Sequence, residues 1–122
     1  MSEANTNAFA EFSSSTEGDM VIAAVAGRLD AVRVPTIAPE ATGLPDNGAT
    51  KMVLDLSRLD WIDSSGVGML VTIYKKVKAN GGRVNVACLQ RQPTEIFRLL
   101  RLEAAFKVFE TLQEAVEDLR NG

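Results

Sequence analysis

Asp63, Ser64, Ser65 and Gly66 are the residues of this 122-residue chain whose types and spacing could do chemistry. They follow an apolar run, Met52-Val53-Leu54-Asp55-Leu56, and precede a helical pattern that begins near Val67. A small polar turn between a strand and a helix sets hydroxyls beside the helix N-terminus, where unpaired N–H donors and partial positive charge collect. An oxyanion held there is stabilised, as phosphate is at many helix starts. The turn is therefore either a helix cap or a chemically addressed surface. A serine in this setting also resembles a hydrolase nucleophile, but such a serine needs an adjacent base. The chain has no histidine, and no spacing places a lysine beside Ser64. Catalysis is not expected.

Composition narrows the classes further. With no histidine and one cysteine, zinc and haem sites of the usual kinds are not expected, and no P-loop pattern is present to cradle a nucleotide, so no cofactor is assigned. The net charge is −3 without a basic block, which speaks against a nucleic-acid footprint. No apolar run approaches the ~20 residues of a membrane-spanning helix. Residues Met1 to Ala8 read as a polar, disordered tail without the basic-then-apolar pattern of a signal sequence. Cys88 lies in an apolar strand pattern and reads as a buried, inert thiol of a reducing compartment, so a cytoplasmic location is expected.

The elements that must position the turn follow from periodicity and punctuation. Strands are expected over Phe9–Ser13, Met20–Ala26, Lys51–Leu56, Arg83–Leu89 and Phe106–Phe109. A loop from Ser13 to Asp19 should join the first two. Asp30 can cap a helix from about Ala31 into the forties, with Pro35 tolerable in a first turn and Pro39 breaking or restarting it. Val67, Leu70, Val71, Tyr74 and Val77 have the spacing of one helical face, with Lys75, Lys76 and Lys78 mostly outside. A helix opening at Gln92-Pro93-Thr94-Glu95 should turn Ile96, Phe97, Leu99 and Leu100 inward. Thr111-Leu112-Gln113-Glu114 has the capping-box pattern and should start a last helix with Leu112, Ala115, Val116 and Leu119 inside. The order β-β-α-β-α-β-α-β-α predicts one α/β domain over residues 9–120, with a mostly parallel sheet and an N-terminal antiparallel edge.

Val53-Leu54-Asp55-Leu56-Ser57, leading through Leu59-Asp60-Trp61-Ile62 into Asp63-Ser64-Ser65-Gly66-Val67-Gly68, resembles the signature of STAS domains of the bacterial anti-sigma factor antagonist type. Gly27-Arg28-Leu29-Asp30 resembles that family's Gly-x-Leu-Asp loop, and Phe106 to Leu119 its closing strand and helix. The resemblance implies a four-to-five-stranded sheet with helices mainly on one face. It also implies partner switching: the unmodified chain binds an anti-sigma factor, a histidine-kinase-like ATPase acting as a serine kinase, and frees the sigma factor. On this resemblance Ser64, the first serine of the motif, is the phosphoacceptor, and a serine phosphatase restores the active form. Asp30, Trp61, Asp63, Ser64, Ser65, Gly66 and Gly68 become the partner-binding candidates. Ser65 also reads as the cap or a supporting hydroxyl, Asp63 as a solvated turn carboxylate, Asp30 as an N-cap and Trp61 as a core aromatic. Two departures bear on partner identity: the segment with Pro35, Pro39 and Pro45, and Arg28 where an acidic residue is frequent. The alternative within the same resemblance is a scaffold subunit of a stressosome-like assembly, or an accessory subunit of a lipid or anion transporter.

Overall fold

Residues 11–122 are described by the computed structural model. The tail expected over residues 1–8, and the Phe9-Ala10 start of the first expected strand, lie outside them. β1 (Glu11–Glu17) and β2 (Met20–Leu29) form an antiparallel hairpin in which Glu17 faces Met20. The connection is only Gly18-Asp19, shorter than the loop expected from Ser13 to Asp19, because Ser13, Ser14, Ser15 and Thr16 all pair as strand residues. Gly18 has φ of +65°, the left-handed geometry that tight hairpin turns need.

Met20 to Ala24 then pairs in parallel with β3 (Lys51–Asp55), which pairs with β5 (Arg83–Ala87), which pairs with β6 (Lys107–Phe109). The chain leaves β3 through a turn at Ser57-Arg58 and forms β4 (Leu59–Ile62), a strand beyond the five expected. β4 runs parallel to the far end of β2, with Gly27, Arg28 and Leu29 facing Leu59, Trp61 and Ile62. The register shifts between Gly27 and Arg28. β2 thus serves two partners in succession, β3 along its first half and β4 along its second.

Each parallel connection carries a helix, and right-handed crossovers stepping the same way place those helices on one face. α1 (Val34–Gly43), α2 (Ser64–Ala79) and α3 (Arg91–Leu99) bury Ile37, Ala41, Leu70, Ile73, Val77 and Phe97 against Met52, Leu54, Val84 and Val86. α4 (Leu112–Asn121) covers the other face, with Ala115, Val116 and Leu119 against Met20, Val53 and Ala87. Met52 and Leu54 face one layer and Val53 the other, as a strand's alternation requires. The antiparallel edge, the parallel interior and the helices mainly on one face match the expected fold. Among the described residues, no helix is long and apolar enough to cross a membrane.

Several boundaries differ from expectation for local reasons. α1 begins at Val34, not near Ala31, because Asp30 first closes a turn by accepting the Val32 and Arg33 N–H groups. The helix then runs through Pro39. The carbonyl left without a helical donor is that of Pro35, four residues back, and both prolines are exposed to water. Leu99 and Leu100 are 76% and 54% exposed rather than inward. α3 ends there, and Arg101, at φ +56°, redirects the chain so that Leu102 packs on the core instead. Cys88 is not a strand residue: it lies one past β5 at φ +65°, half-buried, donating its N–H to the Phe109 carbonyl. Burial and the charge of Asp55 push its thiol pKa up. Lys76 is not a free outer residue either, since its Nζ donates to the Thr42 carbonyl at 2.9 Å and pairs with Asp46 at 3.1 Å.

Candidate functional site

The site is the rim where β2 and β4 end and α1 and α2 begin. Asp63 sits in extended geometry as the N-cap of α2, and its Oδ1 accepts the N–H groups of Ser65 at 2.9 Å and Gly66 at 3.1 Å. Its Oδ2 accepts the Ala31 N–H at 3.1 Å, and its own N–H donates to the Leu29 carbonyl at 3.2 Å. One carboxylate therefore caps α2 and ties it to the loop after β2. The cap is Asp63, so Ser65 does not hold that role and Asp63 is not a free turn carboxylate. Ser65 is half-buried in the first turn.

Ser64 is the first helical residue and is exposed. Its hydroxyl makes no hydrogen bond among the described residues. Gly68 lies one helical turn on, so the two share a face. Gly68 is also exposed, with open space where a Cβ would be. Gly66 is the opposite case. A Cβ there would come within 2.5 Å of the Leu29 carbonyl oxygen and 2.7 Å of the Ile62 side chain. It is buried, and its lack of a side chain lets α2 start directly against the ends of β2 and β4.

The loop after β2 forms the other wall. The Asp30 carboxylate accepts the Val32 and Arg33 N–H groups at 3.2 and 3.1 Å and pairs with the Arg33 guanidinium at 3.3 Å. Desolvation pushes its pKa up, but the Arg33 amide and guanidinium and the Val32 amide outweigh it, and the carboxyl titrates below its ordinary value. Arg28 lies 4.9 Å over the Trp61 ring and 3.9 Å from Asp30. Trp61 is 39% exposed, so it is not a core aromatic, and Val32, in the turn closed by Asp30, is 75% exposed. The structure thus joins Asp30, Trp61, Asp63, Ser64, Ser65, Gly66 and Gly68 at one rim, with Gly66 beneath the surface and the others at it. Sequence reasoning missed Val32, whose position in a capped turn becomes apparent only once α1 is seen to start late. It also missed Gln92, whose amide pairs with the backbone of Ile62 at 2.9 and 3.0 Å.

Chemically, the rim offers an accessible hydroxyl at a helix N-terminus. Both oxygens of the nearest carboxylate are occupied by amides, and neither is bonded to Ser64. A cleft of about 380 Å³, lined in part by Ser14, Asp19, Asn47 and Thr50, borders the starts of β2 and β3 instead. The fold and the rim define a small α/β domain that presents a capped serine turn on its surface. The STAS domain model matches residues 11–115, and the chain belongs to that family. Similar proteins include a Thermotoga maritima protein provisionally named an anti-sigma factor antagonist, 29% identical over 75 residues, 62% of this chain and 66% of that one. The anti-sigma-B factor antagonist of Bacillus subtilis is 27% identical over 79 residues, covering 65% of this chain and 72% of that one. Among solved structures, the Bacillus cell fate determinant SpoIIAA in its phosphorylated form superposes with a TM-score of 0.72 at 24% identity, covering 90% of this chain and all of that one.

Proposed function

We propose that this chain is an anti-sigma factor antagonist whose unmodified form binds an anti-sigma factor and is switched off by phosphorylation of Ser64. The observation that carries this reading is the exposed, unbonded Ser64 hydroxyl at the first turn of α2, beside a cap that leaves it free. The names of the relatives from Thermotoga and Bacillus support the antagonist role, and a phosphorylated form is known for SpoIIAA. The partner is a histidine-kinase-like ATPase that acts as serine kinase and supplies the ATP, and a serine phosphatase reverses the step. Asp30, Trp61, Asp63, Ser64, Ser65 and Gly68 form the docking rim, with Gly66 shaping it from below. Neither nucleic acid nor membrane is a partner in this reading, which places the chain in the cytoplasm.

Phosphorylation adds roughly −1.5 to −2 charges and three acceptor oxygens. Placed at the N-terminus of α2, that charge meets the positive end of the helix dipole, so the fold can hold it without rearrangement. Partner binding is then blocked by charge and bulk at the rim. The test is intact-mass spectrometry after incubation with ATP and the ATPase encoded nearest this gene. One phosphate, absent from Ser64→Ala, is the expected result. No phosphate from a kinase shown to be folded and active would overturn the switch and turn attention to a transporter or scaffold role.

A further inference from the structure

β4 has two edges, and among the described residues a strand meets only one of them. Asp63 N–H bonds the Leu29 carbonyl of β2. Successive residues of a strand aim their backbone groups at opposite edges, so the N–H and C=O of Ile62 face away from β2. The next lane of the sheet belongs to β5, but β5 stops at Ala87 and the left-handed Cys88 turns the chain toward α3. Ile62 is fully buried, so these two groups need partners where water does not reach. Gln92, in the first turn of α3, provides both. Its Oε1 accepts the Ile62 N–H at 2.9 Å, and its Nε2 donates to the Ile62 carbonyl at 3.0 Å. One side-chain amide stands in for the peptide group of the missing strand.

We infer that Gln92 is a positioning residue for the phosphoacceptor turn. It fixes both backbone groups of Ile62, the residue immediately before the Asp63 cap, and so holds the carboxylate that accepts the Ser65, Gly66 and Ala31 amides next to Ser64. This deepens the phosphoacceptor reading of Ser64 and rests on it for its effect on phosphorylation. An apolar side chain of equal size would cover the edge of β4 but leave Ile62 free to rotate out of register.

Amide hydrogen exchange followed by NMR tests the positioning without any kinase. In Gln92→Met, the Ser65 and Gly66 amides, which Gln92 does not contact, should exchange at least ~10-fold faster, while Val84 and Val86 in β5 keep wild-type rates. Gln92→Glu keeps an acceptor for the Ile62 N–H but sets a carboxylate against the Ile62 carbonyl, so it should loosen the same two amides at neutral pH. Acceleration confined to Ile62, or spread equally into β5, would overturn the inference by reducing Gln92 to an edge cover or a general stabiliser. The paired readout is Ser64 phosphorylation, where kcat should fall roughly 10-fold with KM for the chain nearly unchanged, as for a misplaced reacting group. Unchanged kcat would equally overturn it. A wild-type chain that takes no phosphate would instead refute the role of Ser64, and the exchange rates would still decide the role of Gln92.

Discussion

At the scale of single residues, two glycines of one motif have opposite assignments, and a matched pair of substitutions separates them. Gly66→Ala would push a Cβ to 2.5 Å from a backbone oxygen that cannot step aside. Overpacking of this kind costs about 1–3 kcal/mol, more than the ~0.5–1 kcal/mol that alanine gains over glycine inside a helix. Urea unfolding should therefore show a clear net loss for Gly66→Ala. Gly68→Ala, with open space around the new methyl, should be neutral or gain up to about 1 kcal/mol. Equal effects at the two positions would mean that the tight approach of α2 to Leu29 is not what Gly66 serves. That the turn from Asp63 to Gly66 opens a helix was legible in its residue types and its strand-to-helix setting, since caps are local, though the cap read at Ser65 falls to Asp63. The reason for Gly66 was not, because the backbone oxygen it avoids, that of Leu29, lies at the end of β2, far back in the chain. Gln92 was illegible for the same reason: its partner is the backbone of Ile62, and nothing in a backbone group's own residue type announces that it lacks a strand neighbour.

At the scale of elements, α4 shows how one carboxylate anchors a helix to the sheet. Asp118 accepts from the Asn85 amide at 3.0 Å and from Lys107 at 2.9 Å, and it pairs with Arg83 at 3.5 Å. The Asn85 and Lys107 hydrogen bonds hold its pKa below the ordinary carboxylate range. A carboxyl lowered on folding contributes stability above its unfolded pKa, near 4, and that contribution is lost as pH falls through the folded value. Asp19 and Asp30 are lowered as well, so wild-type behaviour alone would not isolate the group. The comparison is urea stability of wild type and Asp118→Asn between about pH 6 and about pH 3. The gap between them should narrow toward the acid end, and a pH-independent gap would assign Asp118 no electrostatic share. Capping made this helix readable in advance, and Thr111 and Glu114 do form the reciprocal box. Leu99 and Leu100 misled because periodicity cannot see that a helix stops. α1 misled because an Asp that caps a turn looks the same in sequence as one that caps a helix. β4 was too short, with Asp60 and Trp61 both exposed, to leave an alternating pattern.

At the scale of the whole molecule, alternation of strand and helix patterns carried most of the architecture, since short parallel connections allow few layouts. The resulting one-sided winding sets the rim proposed for docking at the strand ends, away from both packed faces, so a charge added there need not disturb the core. Blocking by charge at an intact surface then predicts that Ser64→Asp weakens partner affinity by ~10-fold or more while leaving stability within about 1 kcal/mol of wild type. Titration calorimetry against the partner and a urea curve check the two halves. Full affinity in a folded Ser64→Asp would argue that bulk, not charge, does the blocking. The double duty of Asp63 has a last consequence, which concerns time. Phosphate monoesters are among the slowest of all bonds to hydrolyse unaided. The chain has no histidine, and among the described residues the two rim carboxylates are both engaged, Asp63 by amides and Asp30 by the Val32 and Arg33 amides and the Arg33 guanidinium, so neither is a ready base to hasten that reaction. A mark written on Ser64 would therefore be a memory that outlasts the signal that wrote it and fades only when another enzyme arrives to erase it.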